Sequence, residues 1–456
     1  MLTVTNPATG KIIQEIEPDS AKSVESALEA AQKRFISWRQ TSFAERADLL
    51  RAVAGIMRKK VEELAPLMTQ EMGKPIREAR GEVEKAAWCA EHYAEHGEAY
   101  LAREEIGSDA TRSYVQYLPL GPVLGILPWN APFWLAFRFA APALMAGNTC
   151  LMKHDPHVPA CAKAIADVFE EAGAPPGLFQ ALRIETPAVE AVIRDTRVRA
   201  VSFTGSARGG AAVAAIAASE IKPAVLELGG SDPSIVLADA DLDKAAEVLT
   251  LSRIINAGQS CIAAKRLIIE EPVYDAFTEK MQARLAALKV GDPADPATDI
   301  GPIARADLRD ELHRQVSETV KAGARLHLGG KIPEGPGFFY PVTLLSDVTP
   351  GMCAFNEETF GPVAVLIKTP DEKRALELAN DTPYGLAASV WTESKRGEAI
   401  AREIEAGQVS VNGIVKTDPR LPSGGIKKSG YGRELGPHGI KEFVNAQQVW
   451  VGPART

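Results

Sequence analysis

Two kinds of segment alternate through most of this 456-residue chain. Short apolar runs bounded by glycine, proline or asparagine, such as residues 123–126 and 149–152, are typical of buried strands. Longer stretches with apolar residues at helical spacing, such as residues 20–38, 43–72 and 133–145, lie between them. The alternation predicts an α/β fold with parallel sheets, and the length predicts roughly two or three domains.

Composition and charge exclude several kinds of function. The formal net charge is −8 and no basic cluster interrupts it, so we expect no nucleic-acid partner. The N-terminus lacks a signal-peptide pattern and no apolar run reaches about 18 residues, so we expect a cytoplasmic protein without a membrane span. Five irregularly spaced cysteines suit a reducing compartment, and the absence of HExxH and CxxC patterns predicts no metal site.

Cys261 lies in a different setting from the other cysteines. Gly258, Gln259 and Ser260 precede it and favour a sharp accessible turn, in which a backbone N–H can face a developing oxyanion. The remaining cysteines lie in apolar or helical runs that are typical of small buried side chains: Cys89, Cys150, Cys161 and Cys353. A thiol at Cys261 and a carboxylate at Glu227 are sufficient for covalent catalysis followed by hydrolysis. A buried thiol and a solvated glutamate are the alternative.

Two further segments allow more than one interpretation. The turn from Gly205 to Gly210 follows a predicted strand at 199–203, so its backbone N–H groups can approach a phosphate. It is not the GxGxxG fingerprint, and such turns also end strands in other α/β proteins. Asn130 follows another predicted strand, where its amide either caps a helix or donates to an alkoxide together with the backbone N–H of Cys261.

These segments and two others resemble the aldehyde dehydrogenase superfamily, in family order and from residues 6–10 to 442–443. The matching motifs are Pro128-Trp129-Asn130, Phe203-Thr204-Gly205-Ser206, Leu226-Glu227-Leu228-Gly229-Gly230, the Cys261 segment, Glu358-Thr359-Phe360-Gly361-Pro362, and residues 423–434. In the last motif Ser423 stands where the family usually has Phe. The resemblance implies three parts: a Rossmann-like cofactor domain (1–100 and 120–226), an α/β catalytic domain (227–436) and a small β oligomerisation arm (101–119 and 437–456).

The resemblance also implies site residues and a reaction. Cys261 is the nucleophile, Glu227 activates the hydrolytic water and Asn130 holds the oxyanion. We expect a local lowering of the thiol pKa or its deprotonation by Glu227. Residues implied in binding the nicotinamide cofactor are Trp129, Lys153, Gly205, Ser206, Gly210, Leu228, Glu358 and Phe360.

Several details are closest to the bacterial succinate-semialdehyde dehydrogenase subgroup. A short aldehyde with a distal carboxylate needs a cation, and Arg138 is the candidate, with Trp134 and Ser260 as further substrate residues. A surface or intersubunit ion pair is the alternative role for Arg138. Ala131 replaces a larger aromatic residue and could admit other aldehydes, so a broad aldehyde dehydrogenase and a non-catalytic protein on the same scaffold remain as alternative functions.

Cofactor preference depends on the segment that follows the strand at 149–152. Lys153 keeps the family's cation, but Pro156 stands where a family Glu would accept from the adenosine ribose and repel a 2′-phosphate. Asp155 is one position earlier and should point away from the cofactor. We therefore expect NADP to be preferred over NAD.

The segments 112–119 and 448–451 alternate polar and apolar residues outside the predicted parallel core. Such half-buried strands predict either an arm that pairs with another subunit or a solvent-facing hairpin. The family resemblance favours a homodimer or homotetramer.

Overall fold

The structure, a computed structural model, describes residues 1–452. Its strands are β1 Leu2–Asn6, β2 Lys11–Ile16, β3 Glu104–Glu105, β4 Arg112–Pro119, β5 Pro122–Leu127, β6 Thr149–His154, β7 Phe179–Ala181, β8 Ala200–Thr204, β9 Ala224–Glu227, β10 Pro233–Val236, β11 Arg266–Glu270, β12 Arg325–Leu328, β13 Thr343–Ser346, β14 Val363–Thr369, β15 Ala387–Trp391, β16 Gln408–Val411, β17 Gly430–Tyr431 and β18 Val444–Val451.

The α-helices of the described residues are α1 Ala21–Trp38, α2 Phe43–Lys59, α3 Val61–Met72, α4 Ile76–Tyr100, α5 Pro132–Met145, α6 Pro159–Glu171, α7 Thr186–Arg194, α8 Ala207–Ser219, α9 Leu242–Ile254, α10 Glu271–Ala286, α11 Ala306–Lys321, α12 Cys353–Asn356, α13 Glu372–Asn380, α14 Ser394–Ala401 and α15 Gly436–Gly439. None of the helices within residues 1–452 is long and apolar enough to cross a membrane.

The first helices show where local sequence signals succeed and where they fail. Ser20 caps α1 by accepting from the backbone N–H of Ser23, as its position before the amphipathic run predicts. The single helix predicted over 43–72 is wrong, because Lys60 (φ −106°, ψ 17°) leaves helical geometry and separates α2 from α3. Gly73, at a φ of 79°, then ends α3 in the left-handed conformation that glycine adopts without strain.

The first large sheet has six strands in the order β17-β9-β8-β5-β6-β7. All its pairs are parallel except β17 with β9. Every residue of β5 and β6 is buried, which explains the apolar runs at 122–127 and 150–152. The chain proceeds from β5 to β6 and β7 on one side, and then to β8 and β9 on the other. Ligands of open α/β sheets bind at such a reversal, in the crevice outside the carboxyl ends of the strands.

The second large sheet has seven strands in the order β12-β13-β14-β11-β10-β15-β16. Only the β12–β13 pair is antiparallel. Buried aliphatic residues of β11, β14 and β15 form a core with residues of α9, α10 and α11. The Cys261 loop lies in the chain between α9 and β11, so this sheet and its helices hold both ends of the loop.

The two outlying segments pair with each other. Strand β18 runs antiparallel to β4 from Val444 opposite Pro119 to Val451 opposite Arg112, and β3 adds a short third strand. The pairing joins residues as far apart in sequence as Gln116 and Gln447, so it is not a local hairpin. The end of the predicted arm, residues 453–456, lies outside the described residues.

Candidate active site

Four parallel strands of the first sheet bring most of the predicted site residues to one edge. Strands β6, β5, β8 and β9 are neighbours in that order, and their carboxyl ends lie side by side. Lys153 is near the end of β6, Trp129 follows β5, Gly205 follows β8 and Glu227 ends β9. The topology therefore places these residues around one crevice.

The loop that carries Cys261 has an unusual backbone. Asn256, Ala257 and Gly258 have φ values of 54°, 53° and 74°, which are left-handed and cost about 1–3 kcal/mol each for residues other than glycine. Arg253, fully buried, donates through Nη2 to the carbonyls of Gly258 (2.8 Å) and Gly361 (2.6 Å). A Cβ at Gly258 would lie 2.2 Å from the Gly361 carbonyl oxygen, so only glycine fits there.

Lys265 fixes the other end of the loop. Its buried Nζ donates to the carbonyls of Ser260 (2.9 Å) and Cys261 (2.6 Å) and lies 3.2 Å from Oε1 of Glu358. The same Glu358 oxygen accepts from the backbone N–H of Gly230 at 3.2 Å. Glu358, which the sequence predicts to bind the cofactor, is thus engaged within the protein through Oε1.

Asn130 does not cap a helix. The carboxylate of Glu82 accepts from the first free backbone N–H groups of α5, at 2.9 and 3.2 Å, and so takes the role of the cap. The side-chain amide of Asn130 instead donates to the carbonyl of Gln259 at 3.1 Å. Its backbone carbonyl accepts from Asn256 Nδ2 at 2.9 Å. These two hydrogen bonds therefore connect Asn130 directly to the loop that carries Cys261.

The surroundings of Cys261 correct one expectation. Burial raises the pKa of this thiol to about 11, and the nearby carboxylates of Glu227 and Glu358 act in the same direction. The positive charges of Lys265 and Arg138 act against that shift without cancelling it. The predicted local lowering of the thiol pKa is therefore wrong for this state of the protein, because desolvation disfavours the thiolate more than the two cations stabilise it.

The other cysteines divide into two groups. Cys89, Cys150 and Cys161 are buried, as predicted, and burial raises the pKa of each thiol well above its ordinary value. Cys353 is only partly buried, which corrects the expectation for it. It lies at the start of α12, where its sulfur accepts from Arg314 Nη1 at 3.7 Å.

Glu227 belongs to a buried group of three charges that we call the carboxylate-arginine triad: Glu227, Arg138 and Glu434. Arg138 Nη2 lies 3.2 Å from Glu227 Oε2 and 2.5 Å from Glu434 Oε2. Burial and the charge of Glu434 raise the pKa of Glu227 to about 7, although Arg138 opposes the shift. A carboxyl group that titrates near neutral pH is suited to act as a general base.

The triad corrects the expectation for Arg138. Arg138 is 3% exposed and its guanidinium already faces two carboxylates, so it is not a free cation awaiting a ligand. When Glu227 and Glu434 are both ionised, the triad carries a net negative charge and would repel a substrate carboxylate. Arg138 forms an ion pair, but the pair is internal and buried, so the alternative of a surface ion pair is also wrong.

Glu434 is a residue that sequence reasoning missed. It lies within the matched motif at 423–434, yet no local pattern marks it as a partner of Glu227. The signal would have been the antiparallel pairing of β17 with β9, which sets Gly430 opposite Glu227. Ser202 Oγ also donates to Glu434 Oε1, at 3.3 Å.

The glycine turn after β8 opens a helix as predicted. Ser206 caps α8 by accepting from the backbone N–H of Gly209 at 3.2 Å. A Cβ at Gly210 would lie 2.5 Å from the side chain of Leu228, so this glycine allows α8 to pack closely on the segment after β9. Thr204, just before the turn, has a buried hydroxyl without a partner among the described residues. An unsatisfied hydroxyl beside a helix N-terminus fits a phosphorylated ligand.

The segment after β6 forms a local turn, where the sequence predicts an extended strand end. Asp155 Oδ1 accepts from the backbone N–H of His157 at 3.0 Å and lies 2.7 Å from its ring Nδ1, so the carboxylate is engaged in a local turn. Lys153 is buried, forms no ion pair within residues 1–452, and has a pKa that burial lowers. A buried cation of this kind fits an anionic group of a dinucleotide.

The remaining predicted residues lie around the same crevice. The rings of Trp129 and Phe360 meet edge to face with centroids 5.9 Å apart. Trp134 is buried on α5, one turn before Arg138, and faces the ammonium of Lys85. Ser260 is partly buried beside Cys261. None of the side chains in residues 1–452 forms a cluster of His, Cys, Asp and Glu able to hold a metal ion.

Comparison with known proteins identifies the family. The sequence pattern of the aldehyde dehydrogenase family matches residues 1–449. The chain belongs to the aldehyde dehydrogenase family. The predicted resemblance and the predicted α/β fold with parallel sheets are both confirmed.

Three relatives show how similar this aldehyde dehydrogenase is to known members. A succinate-semialdehyde dehydrogenase [NADP(+)] of Mycolicibacterium paratuberculosis is 47% identical, over 100% of this chain and 98% of the relative. A probable succinate-semialdehyde dehydrogenase [NADP(+)] of Synechocystis sp. is 48% identical, over 99% of both chains. The crystal structure of succinic semialdehyde dehydrogenase from Streptococcus pyogenes, in complex with NADP+, superposes with a TM-score of 0.97 at 35% identity, covering 99% of this chain and 100% of that one.

Proposed function

We propose that this aldehyde dehydrogenase oxidises succinate semialdehyde to succinate and uses NADP as its preferred cofactor. The observation that carries the proposal is identity of 47–48% along the whole chain to relatives named for that substrate and cofactor. The arrangement of Cys261, Asn130 and Glu227 around one crevice supports the chemistry, since the three supply a nucleophile, an oxyanion donor and a base.

In the proposed mechanism Cys261 attacks the aldehyde carbon as a thiolate and forms a thiohemiacetal. The Nδ2 group of Asn130 and the backbone N–H of Cys261 donate to the oxyanion. NADP, when bound, supplies the acceptor for the hydride, and a thioester then remains on Cys261. Glu227 takes a proton from water, which attacks the thioester and releases the acid. Its pKa of about 7 keeps a large fraction of Glu227 ionised at the pH at which such a base must work.

We assign the cofactor to the crevice at the carboxyl ends of β5, β6, β8 and β9. The N-terminus of α8, with Gly205 and Ser206, would hold the pyrophosphate, and Lys153 would pair with the 2′-phosphate. The preference for NADP is supported by Pro156, which offers no carboxylate to repel that phosphate, and by the local turn that engages Asp155.

A broad aldehyde dehydrogenase is the second candidate. Ala131, half-buried at the start of α5, leaves more room than an aromatic side chain would, and the neutralised Arg138 offers no free charge to a substrate. The two candidates differ in whether a distal carboxylate improves catalysis.

We also propose the three-part organisation given above and a homodimer or homotetramer in the cytoplasm. The exposed side chains of Trp450 and Val451, at the end of the antiparallel sheet, support a role for that sheet in subunit contact. Size-exclusion chromatography with light scattering tests the number of subunits.

An aldehyde panel assayed with NADP and with NAD tests the activity. Succinate semialdehyde should give the highest kcat/KM of a set that includes butanal and benzaldehyde, and NADP should exceed NAD. Cys261→Ala should abolish the reaction, whereas the control Cys353→Ala should retain it. Equal kcat/KM for succinate semialdehyde and for butanal would favour the broad aldehyde dehydrogenase instead.

A further inference from the structure

Asn256 is a buried residue of the Cys261 loop whose side-chain amide bridges two backbone carbonyls. Its Nδ2 donates to the carbonyl of Asn130 at 2.9 Å and to the carbonyl of Gln259 at 3.2 Å. An amide nitrogen carries two N–H groups, so both donors are used. Turning the amide over would set Oδ1 against the same two carbonyl oxygens, which would repel it. The two contacts therefore fix one orientation of this side chain.

The carbonyl of Gln259 also accepts from the side chain of Asn130, whose Nδ2 lies 3.1 Å away. Asn256 thus holds Asn130 at two points. It binds the backbone carbonyl of Asn130 directly, and it binds the side chain of Asn130 through the shared carbonyl of Gln259. The second N–H of Asn130 Nδ2 has no acceptor within residues 1–452. This arrangement leaves one donor of Asn130 for an oxyanion.

Contacts from outside the loop hold Asn256 and Asn130 in the same place. The carboxylate of Glu78 accepts from the backbone N–H of Asn256 at 2.6 Å. Lys74 donates to the Asn130 carbonyl at 2.9 Å and pairs with Glu82. Asn256 keeps its position although its φ of 54° is left-handed and its buried Oδ1 has no partner in the described part of the chain. Such a backbone and such an unsatisfied acceptor are both costly, and strain of this kind is concentrated at functional sites.

We infer that Asn256 is a positioning residue that sets the amide of Asn130 against the nucleophile of the Cys261 loop. The inference rests on the proposed function, in which Asn130 donates to the oxyanion formed at Cys261. Asn130 follows β5 of the first sheet, whereas Cys261 lies between α9 and β11, so contacts between the two parts must set their relative position. An oxyanion donor acts only when it is aimed at the atom on which charge develops, and a misplacement of about 1 Å can cost about 100-fold in rate.

The rate of NADPH formation in a single turnover with succinate semialdehyde tests the inference in three variants: Asn130→Ala, Asn256→Gly and the double variant. Glycine removes the amide and adopts a left-handed backbone without strain. We expect Asn130→Ala to be slower by about 100- to 1000-fold and Asn256→Gly by about 10- to 100-fold. The double variant should match Asn130→Ala within about twofold, because Asn256 acts through an amide that is already absent.

A second reaction measures the thiol without an oxyanion. Alkylation of Cys261 by iodoacetamide forms no oxyanion, so its rate in Asn256→Gly should stay within about twofold of the native rate. Ala257→Gly is the matched control, since it places glycine at the next left-handed residue of the loop (φ 53°), and it should keep the native rate of NADPH formation. A parallel loss of alkylation in Asn256→Gly, or an equal loss of NADPH formation in Ala257→Gly, would overturn the inference, because either would assign the effect to the shape of the loop.

The outcomes separate this inference from the proposed function. If Asn130→Ala forms NADPH as fast as the native enzyme, the proposed oxyanion donor is wrong and the role of Asn256 fails with it. If Asn130→Ala is slow and Asn256→Gly is not, only the role of Asn256 is overturned. Losses that multiply in the double variant would also overturn it, since the two residues would then act independently. If Asn256→Gly does not fold, Asn256→Ala takes its place in the same comparison, because Ala257 shows that alanine adopts this backbone.

Discussion

Replacing Glu227 with glutamine should make the protein more stable at alkaline pH while removing its hydrolytic base. The pKa of Glu227 is raised from 4.5 to about 7, mainly by burial, so the folded protein favours the protonated carboxyl group. Glutamine resembles that protonated form in size and in lack of charge. The native carboxylate therefore destabilises the fold at the pH at which the enzyme needs it, a trade-off that is common at active sites.

The size of this change in the free energy of unfolding follows from the linkage between proton binding and folding. Between pH 4.5 and about 7 the folded state holds a proton on Glu227 that the unfolded state has released, so stability falls by about 1.4 kcal/mol per pH unit. Above that range the deficit is constant, at about 3 kcal/mol. Glu227→Gln should gain up to this amount at pH 8 and very little at pH 5. For a chain of 456 residues the gain corresponds to a Tm about 3 °C higher.

Differential scanning calorimetry of the native enzyme and of Glu227→Gln, from pH 5 to pH 9 at one scan rate, measures the difference. Glu29→Gln, an exposed position on α1, is the matched control and should follow the native enzyme at every pH. A lower Tm for Glu227→Gln at pH 8 would refute the reasoning, as would a difference that does not change with pH. Either result would mean that the pairing with Arg138 outweighs the desolvation of Glu227.

Glu227→Gln and two other substitutions test the site by kinetics. Glu227→Gln should keep a pre-steady-state burst of NADPH and lose steady-state turnover, because it blocks thioester hydrolysis only; loss of the burst would assign Glu227 to thiol activation. Arg138→Met should lower kcat/KM for succinate semialdehyde and for butanal by the same factor. It should also destabilise the fold by about 3–5 kcal/mol, because two buried carboxylates lose their cation. A loss of kcat/KM for succinate semialdehyde alone would indicate that Arg138 binds the substrate. Pro156→Glu should lower the ratio of NADP to NAD efficiency by about tenfold or more, and an unchanged ratio would contradict the role given to this position.

The local parts of the site could be predicted from the sequence because each follows a strand end or a tight turn. Glu227 ends a buried strand, Asn130 and the turn at Gly205 follow two others, and the parallel sheet brings such positions to one edge. The small residues before Cys261 likewise predict a turn, and the left-handed run that ends at Gly258 is such a turn. In these places the sequence neighbours of a residue determine where its side chain lies.

The ionic partners could not be predicted, because they depend on contacts between distant segments. Arg138 has the spacing of a substrate residue on α5, but its charge is taken by Glu434 through the pairing of β17 with β9. The raised pKa of Cys261 depends on burial, which no motif encodes.

The two cations that act on Cys261 are each paired with a carboxylate that raises the pKa of the thiol, so their charges offset only part of the effect of burial. Arg138 faces Glu227 and Glu434, and Lys265 faces Glu358. Of the carboxylates involved, Glu358 is the most exposed, with 20% of its side chain accessible. A ligand hydroxyl that draws the Glu358 carboxylate away from Lys265 would therefore leave an uncompensated positive charge beside the thiol. Cofactor binding and thiol activation would then be coupled through this ion pair.

Glu358→Gln should reproduce that state without a ligand. The Glu358 charge raises the pKa of Cys261, whereas the Lys265 charge lowers it. Removing the Glu358 charge should therefore lower the pKa of Cys261. For a thiol that titrates above the assay pH, each pKa unit lost gives about tenfold more thiolate, and iodoacetamide should modify Cys261 faster at pH 8 by about that factor. Glu357→Gln, next in sequence and paired with Arg314, is the control. Peptide mass spectrometry assigns the modified cysteine, and a rate at Cys261 that is unchanged or lower in Glu358→Gln would show that the Lys265 charge does not govern the thiol.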